Sequence, residues 1–339
     1  MKSKKMFFVM LAMVFAIALF ATACQTQEVN EPAAIVEHEI EVIEEFPTMI
    51  YINFRVYDPV YVALEKGFFQ DHGLNVEISG GVVGGPNAIQ AVSAGAAHAG
   101  ISSIPAIINA NAAGLPIQGV VDIQTSFENQ SLQKWYTLAD SDIVSMEDVC
   151  GRTYAVNIWR SSFHYTSLRG LDQRGIDPGC VNWVLLGFAD QIPALIEGTV
   201  DIVGLVPPYQ SYLEYEYGDL IKTVWTDAED ITGPSHVSLI FVNRIWAENN
   251  PEQAEAFTTG VSDAINWIEE NQDEAATIIA EYTGIPDYAV GDYHFTENGS
   301  VHMQDIQGWM DFLTDYGDLT NEFVTPEMVA TNEYNLNIP

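Results

Sequence analysis

Residues 60–78 read VYVALEKGFFQDHGLNVEI and contain a short helix pattern, two aromatic residues and a short strand pattern. Gly67 follows the helix pattern, and Gly73 precedes the strand pattern. Glycine adopts the left-handed backbone at little cost, so we expect the first glycine to end the helix and the second to permit entry into the strand. Phe68 and Phe69 are expected to pack this unit onto a sheet. The stretch therefore predicts a piece of scaffold.

Helix and strand patterns alternate along most of the chain. Strand candidates include TMIYINFRV, AHAGIS, IQGVVDIQ, RTYAVN, VNWVLLG and VDIVGLV, with helix patterns between them. Such alternation with short connections predicts an α/β fold with mainly parallel sheets flanked by helices. The pattern runs through two similar rounds and turns helical after Pro251, which suits a helix start. We therefore expect a cleft between two lobes, the first formed by residues 48–138 plus 238–339 and the second by residues 139–237.

The first 23 residues have the features of a signal peptide. Three lysines are followed by the apolar run MFFVMLAMVFAIALF, and the small residues ATA precede Cys24. A cysteine at this position resembles the lipobox of bacterial lipoproteins, which implies that Cys24 is lipidated; an ordinary secretory signal is the alternative. Residues 24–47 are rich in glutamate and lack lysine and arginine, a composition typical of a solvated tether. We expect a protein anchored by lipid on the extracytoplasmic side of the cell membrane.

The charge balance excludes one class of partner. The chain has 12 lysines and arginines against 47 aspartates and glutamates, which gives a formal net charge of −35. Nucleic-acid binding needs a basic face to meet the phosphates, so nucleic acid is not an expected partner. Solubility, or adaptation to salt or to low external pH, accounts for the acidity without reference to a ligand.

The sequence lacks the common motifs of catalysis and metal binding. The seven histidines are scattered, without the close spacing of an HExxH motif. Neither a P-loop nor a GxSxG nucleophile elbow is present. We therefore expect no cofactor, no metal site and no enzymatic activity.

Three stretches carry a family resemblance through their order and spacing: PVYVALEKGFFQDHGLNVEI, GGPNAIQAVSAGAAHAGIS and PAIINANAAGLPIQGVVDIQ. Over roughly residues 48–330 the chain resembles the solute-binding proteins of ABC importers. The branch is the NMT1/THI5-like one, which takes up sulfonates, taurine, nitrate, thiamine-pyrimidine precursors and riboflavin. The resemblance implies a type II periplasmic-binding-protein fold and a monomer that captures a small molecule in its cleft. It also implies delivery of that molecule to a membrane permease with its cytoplasmic ATPase.

In open α/β sheets, ligands bind where loops leave the carboxyl ends of the strands. That rule, together with the resemblance, selects these candidate ligand-binding residues: Tyr57, Asp58, Gly85, Asn87, Ser102, Ser103, Asn157, Trp159, Arg160, Ser161, Ser162, Phe163, Tyr209 and His236. For Arg160 the alternative is pairing with one of the many carboxylates. Ser161 and Ser162 are also explained by helix capping alone, and Tyr57 or Tyr209 by a place on the rim.

The ligand class depends on which of these side chains dominate. Tyr57, Trp159, Phe163 and Tyr209 would together stack a flat ring, which favours a heterocyclic vitamin or precursor, riboflavin or the thiamine pyrimidine. Arg160, with neighbouring hydroxyls and a helix amino terminus, would instead suit taurine, an alkanesulfonate or nitrate. A sensory or adhesive surface lipoprotein is an alternative of a different class.

Cys150 and Cys180 precede two strand patterns that one helix pattern connects. A strand–helix–strand unit makes its strands parallel, and neighbouring strands lie about 4.8 Å apart. Disulfides span Cα separations of roughly 4.4–6.8 Å, and an exported protein permits oxidation. With Cys24 lipidated, these two cysteines are left, and we expect a disulfide between them. Two unpaired thiols are the alternative.

The lipid anchor is tested by the substitution Cys24→Ser. Serine offers no thiol to the lipid, so the variant is expected to be released from membranes or to keep an uncleaved signal. Membrane fractionation and amino-terminal sequencing measure the two effects. A variant that still fractionates with membranes after cleavage at the same place would contradict the lipoprotein prediction.

Overall fold

The computed structural model describes residues 46–81, 84–128 and 130–339. The predictions for the signal peptide, for lipidation of Cys24 and for the tether up to residue 45 lie outside the described residues. The described residues belong to one compact unit, Glu45–Pro339. Within them, no helix has both the length and the apolar character needed to cross a membrane.

Ten strands are present in the described residues. They are β1 (Thr48–Ile52), β2 (Asn75–Ser79), β3 (Ala99–Ser103), β4 (Ile117–Thr125), β5 (Lys134–Leu138), β6 (Thr153–Val156), β7 (Asn182–Leu185), β8 (Val203–Leu205), β9 (Ile221–Thr226) and β10 (His236–Asn243). The first lobe contains a five-stranded sheet in the order β2-β1-β3-β10-β4. The second lobe contains the sheets β8-β5-β9 and β6-β7.

The sheet of the first lobe is mixed. β1 pairs in parallel with β2 and β3, whereas β10 lies between β3 and β4 and is antiparallel to both. In the second lobe, β5 is antiparallel to β8 and β9, and β6 is parallel to β7. The sequence pattern predicts mainly parallel strands. The difference in the first lobe comes from β10, which follows the second lobe in the chain and lies antiparallel between β3 and β4.

The lobe boundaries differ from those predicted. β5, residues Lys134–Leu138, was expected in the first lobe, but its pairing with β8 and β9 places it in the second. The return to the first lobe comes two residues earlier than predicted, because β10 begins at His236. The chain thus crosses between the lobes after Thr125 and again before His236.

Thirteen α-helices of the described residues flank the sheets. They are α1 (Pro59–Lys66), α2 (Phe68–Asp71), α3 (Gly85–Ser93), α4 (Ile104–Ala112), α5 (Ser162–Gln173), α6 (Phe188–Ile196), α7 (Tyr209–Tyr217), α8 (Asp227–Asp230), α9 (Arg244–Asn249), α10 (Pro251–Glu270), α11 (Gln272–Thr283), α12 (Met303–Asp315) and α13 (Pro326–Val329). Short 3-10 turns lie at Met146–Asp148, Pro178–Cys180, Gly218–Leu220, Asp287–Ala289 and Glu297–Gly299.

The stretch at residues 60–78 folds as a broken helix followed by a strand. Asp58 caps α1 by accepting a hydrogen bond from the backbone N–H of Val60 at 3.0 Å. Gly67 has φ 79°, a left-handed conformation, and separates α1 from α2. Gly73, with φ 72°, lies in the turn before β2. The roles predicted for both glycines are confirmed.

Phe69, which the sequence predicts to pack onto the sheet, is fully buried. Its ring stacks on Phe257 of α10, with ring centroids 5.5 Å apart. A Cβ on Gly260 of the same helix would lie 2.8 Å from the Phe69 ring, so the two helices approach closely. Phe68 is half-buried at the edge of the same core. Phe69 therefore joins the opening unit to α10, which follows the second lobe in the chain, while α2 also contacts β2 of the sheet.

Cys150 and Cys180 form a disulfide, with their Cα atoms 4.8 Å apart. The bond lies just before β6 and β7, which pair in parallel from their first residues and are connected by α5. In addition, the N–H of Gly151 donates to the carbonyl of Cys180 at 2.7 Å. The covalent bond and the strand ladder thus hold the same edge of the second lobe.

The disulfide is tested by thiol titration of the Cys24→Ser variant, denatured without reductant. We expect no free thiol, because both remaining cysteines are bonded. Replacing both with serine is expected to lower the free energy of unfolding in urea by on the order of 3 kcal/mol, because the unfolded chain loses a constraint. Two free thiols per chain before reduction would contradict the bond.

Candidate functional site

Five helices begin at the cleft between the lobes. In each case the first residue, or the residue that caps it, lines one of two adjoining cavities: Gly85 of α3, Ser103 before α4, Ser162 of α5, Phe188 of α6 and Tyr209 of α7. The amino terminus of a helix has unpaired N–H groups and a positive partial charge. The cleft is therefore rich in backbone hydrogen-bond donors.

The outer cavity has a volume of about 400 Å³ and opens to solvent. Its lining residues are Phe54, Arg55, Gly81, Gly84, Asn157, Ile158, Gly187, Phe188, Ala189, Asp190 and Tyr209. Phe54 comes from the first lobe, and the rings of Phe188 and Tyr209, with centroids 5.8 Å apart, come from the second. Flat aromatic walls of this kind stack planar ligands.

An inner pocket of about 30 Å³ adjoins the outer cavity and shares four lining residues with it. The inner pocket is lined by Phe54, Gly85, Pro86, Ser103, Gln124, Asn157, Ile158, Ser161, Ser162, Phe163, Phe188, Val206 and Ser238. Among the described residues, all of its polar side chains are hydroxyls or carboxamides, so this part of the lining carries no formal charge. These groups both donate and accept hydrogen bonds.

Ser161 fixes one wall of the inner pocket. Its hydroxyl accepts a hydrogen bond from the N–H of His164 at 3.3 Å and so caps α5. The same hydroxyl donates to Oδ1 of Asn157 at 2.8 Å. Capping, the alternative role considered for Ser161, therefore coexists with a position in the pocket. This bond holds the carboxamide of Asn157 by its acceptor end.

Gly85 allows the backbone to approach the third strand. A Cβ at this position would lie 2.1 Å from Oγ of Ser102 and 2.8 Å from its Cα. Ser102 is fully buried at the end of β3 and cannot move away freely. The start of α3 thus reaches the pocket only because residue 85 has no side chain.

Charged groups lie at the mouth of the outer cavity. Arg55 and Asp190, of opposite sign, both line it. The hydroxyl of Tyr209 donates to the carbonyl of Arg55 at 3.1 Å and so joins the two lobes. Burial raises the pKa of Tyr209, with Arg55 opposing and Asp190 adding to the effect. Tyr209 is therefore a neutral donor that closes one side of the mouth.

Arg160 lies outside both cavities and forms a second link between the lobes. Its guanidinium donates to Oδ1 of Asp318, which follows α12, at 2.9 Å. The hydroxyl of Tyr165 donates to the other carboxylate oxygen at 2.7 Å. Arg160 has φ 62°, an uncommon value for a residue with a side chain. The pairing with a carboxylate that we considered as the alternative is the one present.

The structure divides the sequence-predicted site residues into two groups. Seven line the cavities: Gly85, Ser103, Asn157, Ser161, Ser162, Phe163 and Tyr209. Seven lie outside both cavities: Tyr57, Asp58, Asn87, Ser102, Trp159, Arg160 and His236.

Most of the second group have other partners. Tyr57 is buried against Tyr293, with ring centroids 5.1 Å apart. Asp58 is fully buried and, besides capping α1, accepts a hydrogen bond from the hydroxyl of Tyr51 at 2.7 Å. Trp159 is 43% exposed, and its ring packs edge-on against His164 and Trp183. His236 is buried at the return crossing.

Several lining residues were not foreseen: Phe54, Arg55, Gly81, Gln124, Gly187, Phe188, Ala189, Asp190 and Ser238. Some of them could have been predicted from the rule that ligands bind at the carboxyl ends of the strands. Gln124 stands at the carboxyl end of β4, and Phe188 follows β7 at the start of α6. Ser238 could not be found this way, because it lies near the amino end of the antiparallel β10.

Comparison with known proteins identifies the family and the fold of this chain. A family model described as "NMT1/THI5 like" matches residues 56–275. A formylaminopyrimidine-binding protein of Halalkalibacterium halodurans is 26% identical over 287 residues, covering 82% of this chain and 79% of that protein. The periplasmic aliphatic sulphonate-binding protein SsuA of Escherichia coli has a TM-score of 0.68 at 18% identity, over 83% of this chain and 91% of that one. The periplasmic nitrate-binding protein NrtA of Synechocystis PCC 6803 has a TM-score of 0.67 at 15% identity, over 86% of this chain and 87% of that one.

The architecture is that of the solute-binding proteins of ABC importers, with two lobes and a cleft between them. The matching family model extends over more than half of the chain, and the chain belongs to the NMT1/THI5-like family. The family and the fold class predicted from the sequence are confirmed.

The close approach at Gly85 predicts the effect of a single methyl group. Gly85→Ala is expected to lower the free energy of unfolding by about 1–3 kcal/mol, because the new Cβ overlaps Ser102 and α3 must shift. Gly80→Ala is the matched control, since a Cβ there meets nothing within 4 Å. Urea denaturation measures both variants. Equal stability of the two would show that α3 is not held against β3 in this way.

Proposed function

We propose that this protein captures a pyrimidine-type heterocycle in its cleft and delivers it to an ABC permease. The observation that carries the proposal is the combination of an aromatic outer cavity with an uncharged inner pocket of hydroxyls and carboxamides. The relative named for binding formylaminopyrimidine supports the same ligand class. Among the heterocycles expected from the sequence, it favours the thiamine pyrimidine over riboflavin.

The chemistry of such a ring matches the two parts of the cleft. A substituted pyrimidine has a flat face, ring nitrogens that accept hydrogen bonds and exocyclic nitrogens that donate them. Phe188 and Tyr209 offer rings for stacking, and Gln124 and Asn157 offer carboxamides. Carboxamides and hydroxyls satisfy donors and acceptors together, which a ring with mixed edges requires.

A small anion is the second candidate, because four helix amino termini meet at the inner pocket. Those of α3, α4, α5 and α6 contribute donors and positive partial charge, which suits a sulfonate or nitrate. Sites for such anions usually add a cationic side chain. Among the described lining residues the cation is Arg55, which lies at the outer mouth and shares it with Asp190. The balance therefore favours a neutral ring.

Lipidation of Cys24 belongs to the same proposal. A lipid on this cysteine, followed by the acidic segment, would hold the binding unit close to the permease while leaving the cleft open to the medium. The anchor would raise the local concentration of the carrier at the permease without any contact to the ligand.

The stacking wall is tested by Phe188→Ala, with Trp159→Ala as the matched control. Loss of the Phe188 ring is expected to weaken binding of formylaminopyrimidine by about 1–3 kcal/mol, through lost burial and stacking. Trp159→Ala is expected to leave the affinity unchanged, because that ring lies outside both cavities. Isothermal titration calorimetry measures both variants. A loss on Trp159→Ala without a loss on Phe188→Ala would contradict the assignment of the wall.

The ligand class is tested with the unchanged protein by thermal-shift and calorimetric titration against formylaminopyrimidine, riboflavin, taurine and nitrate. Saturable one-to-one binding of the pyrimidine is the expected result. Saturable binding of taurine or nitrate, with no response to either heterocycle, would replace the proposal by the anion reading. Binding of none of the four, with Phe188→Ala and the unchanged protein alike, would reject both.

A further inference from the structure

Two histidines and two aspartates meet outside the cleft, where the chain returns to the first lobe. His236, at the start of β10, is almost fully buried. Its Nε2 lies 3.5 Å from Oδ2 of Asp305, in the first turn of α12. The ring of His302, the residue before α12, packs against that of His236 at a tilt of 38°, with centroids 4.3 Å apart. On the other side, Nδ1 of His236 lies 3.1 Å from Oδ1 of the fully buried Asp122.

We propose that His236, His302 and Asp305 form a binding site for a divalent transition-metal ion of the zinc type. One ligand atom from each of the three residues lies within 4.8 Å of those from the other two. Ligand atoms around a tetrahedral zinc ion are about 3.3 Å apart, given Zn–N and Zn–O bonds of about 2.0–2.1 Å. The His236–Asp305 distance already fits. His302 is exposed and can close the remaining distance by rotating its side chain.

A buried carboxylate, that of Asp122, lies behind His236, the most buried of the three proposed ligands. A metal-binding histidine usually directs its second nitrogen to a carboxylate, which fixes the orientation of the ring. Asp122 lies behind His236 with Oδ1 3.1 Å from Nδ1, although these two atoms do not have the geometry of a hydrogen bond, and its other oxygen accepts hydrogen bonds from the hydroxyls of Thr125 and Thr296. The inner carboxylate of the cluster, that of Asp122, is thus fixed by two hydroxyls, whereas the outer side, at His302, is open to solvent.

Hydrogen bonds also hold the carboxylate of Asp305 and the backbone of His236. The N–H of Ser235 donates to Oδ1 of Asp305 at 3.0 Å, and its hydroxyl donates at 3.4 Å to Oδ2, the oxygen that lies 3.5 Å from Nε2 of His236. The indole N–H of Trp309 donates to the carbonyl of His236 at 2.7 Å. Two of the three proposed ligands are therefore positioned by the fold before any ion binds, which lowers the ordering cost of binding.

Charge and ligand type select the class of ion. A buried imidazole between the carboxylates of Asp122 and Asp305 leaves an excess of negative charge that a divalent cation neutralises. Imidazole with carboxylate suits zinc and its neighbours, whereas calcium and magnesium prefer ligand sets made of oxygen. No sequence motif marks the site, since His236 and the His302–Asp305 pair come from distant parts of the chain.

A bound ion would join β10 to α12. Both belong to the first lobe, and His236 adjoins the second crossing between the lobes. None of the four cluster residues lines either cavity of the cleft. The ion is therefore expected to stabilise the return crossing rather than to contact the ligand, and the site is independent of the proposed function.

The experiment uses the full-length protein after chelator treatment and dialysis. Titration with Co²⁺ is expected to give one equivalent with the visible absorption bands of a four-coordinate ion, displaced by Zn²⁺ and unaffected by Ca²⁺. Zn²⁺ is expected to raise the melting temperature with its concentration. His302→Ala is expected to weaken binding at least roughly 100-fold, since loss of a supporting partner alone costs roughly 10–100-fold. Asp122→Asn is expected to show that smaller loss.

His294→Ala is the matched control. His294 is also a surface histidine beside a carboxylate, with Nδ1 2.7 Å from Glu269, but it lies outside the cluster. Full binding by the control together with loss in His302→Ala and in a second variant, Asp305→Asn, would support the site. Equal binding by the His302→Ala and His294→Ala variants, or several weak equivalents in each, would show only ion binding by surface carboxylates and would overturn the proposal.

Discussion

The insertion of β10 between β3 and β4 is the constraint on which the rest of the structure depends. Seven of its eight residues are buried, and it pairs with strands that precede it by more than a hundred residues. The first sheet is therefore completed by a strand that follows the second lobe in the chain. This single pairing fixes both crossings between the lobes, since one leaves at the end of β4 and the other enters at the start of β10.

The same constraint brings the inner pocket together. Ser238 of β10 pairs with Ser103 at the end of β3, and Gln124 stands at the end of the other neighbour, β4. All three line the pocket from the first lobe. The second lobe adds the start of α5, and the Arg160–Asp318 bond holds that region against the end of α12. The site thus draws its side chains from three strands and an opposing helix start.

Much of the scaffold could be predicted because its signals are local. The broken helix at Gly67 and the parallel strands that follow Cys150 and Cys180 depend on residues close in sequence. The family could also be predicted, because the order and spacing of short sequence motifs are specific to it. The antiparallel insertion of β10 and the packing of Phe69 on Phe257 could not be predicted, since both join distant parts of the chain. Trp159 lies outside both cavities for a related reason: its position in a cleft-side loop does not fix the direction of its ring.

The acidity of the chain and the neutrality of the inner pocket fit together. With a formal charge of −35, the molecule repels anions at long range. Charges are screened beyond roughly 8 Å at physiological salt, so this repulsion does not decide binding once a ligand has entered the cleft. Inside, the nearest groups decide, and those of the inner pocket are hydroxyls, carboxamides and helix amino termini. A neutral ring with donors and acceptors on its edge meets no penalty at either stage, whereas an anion must overcome the first and finds no cationic side chain lining the inner pocket at the second. The overall charge and the local chemistry therefore favour the same class of ligand.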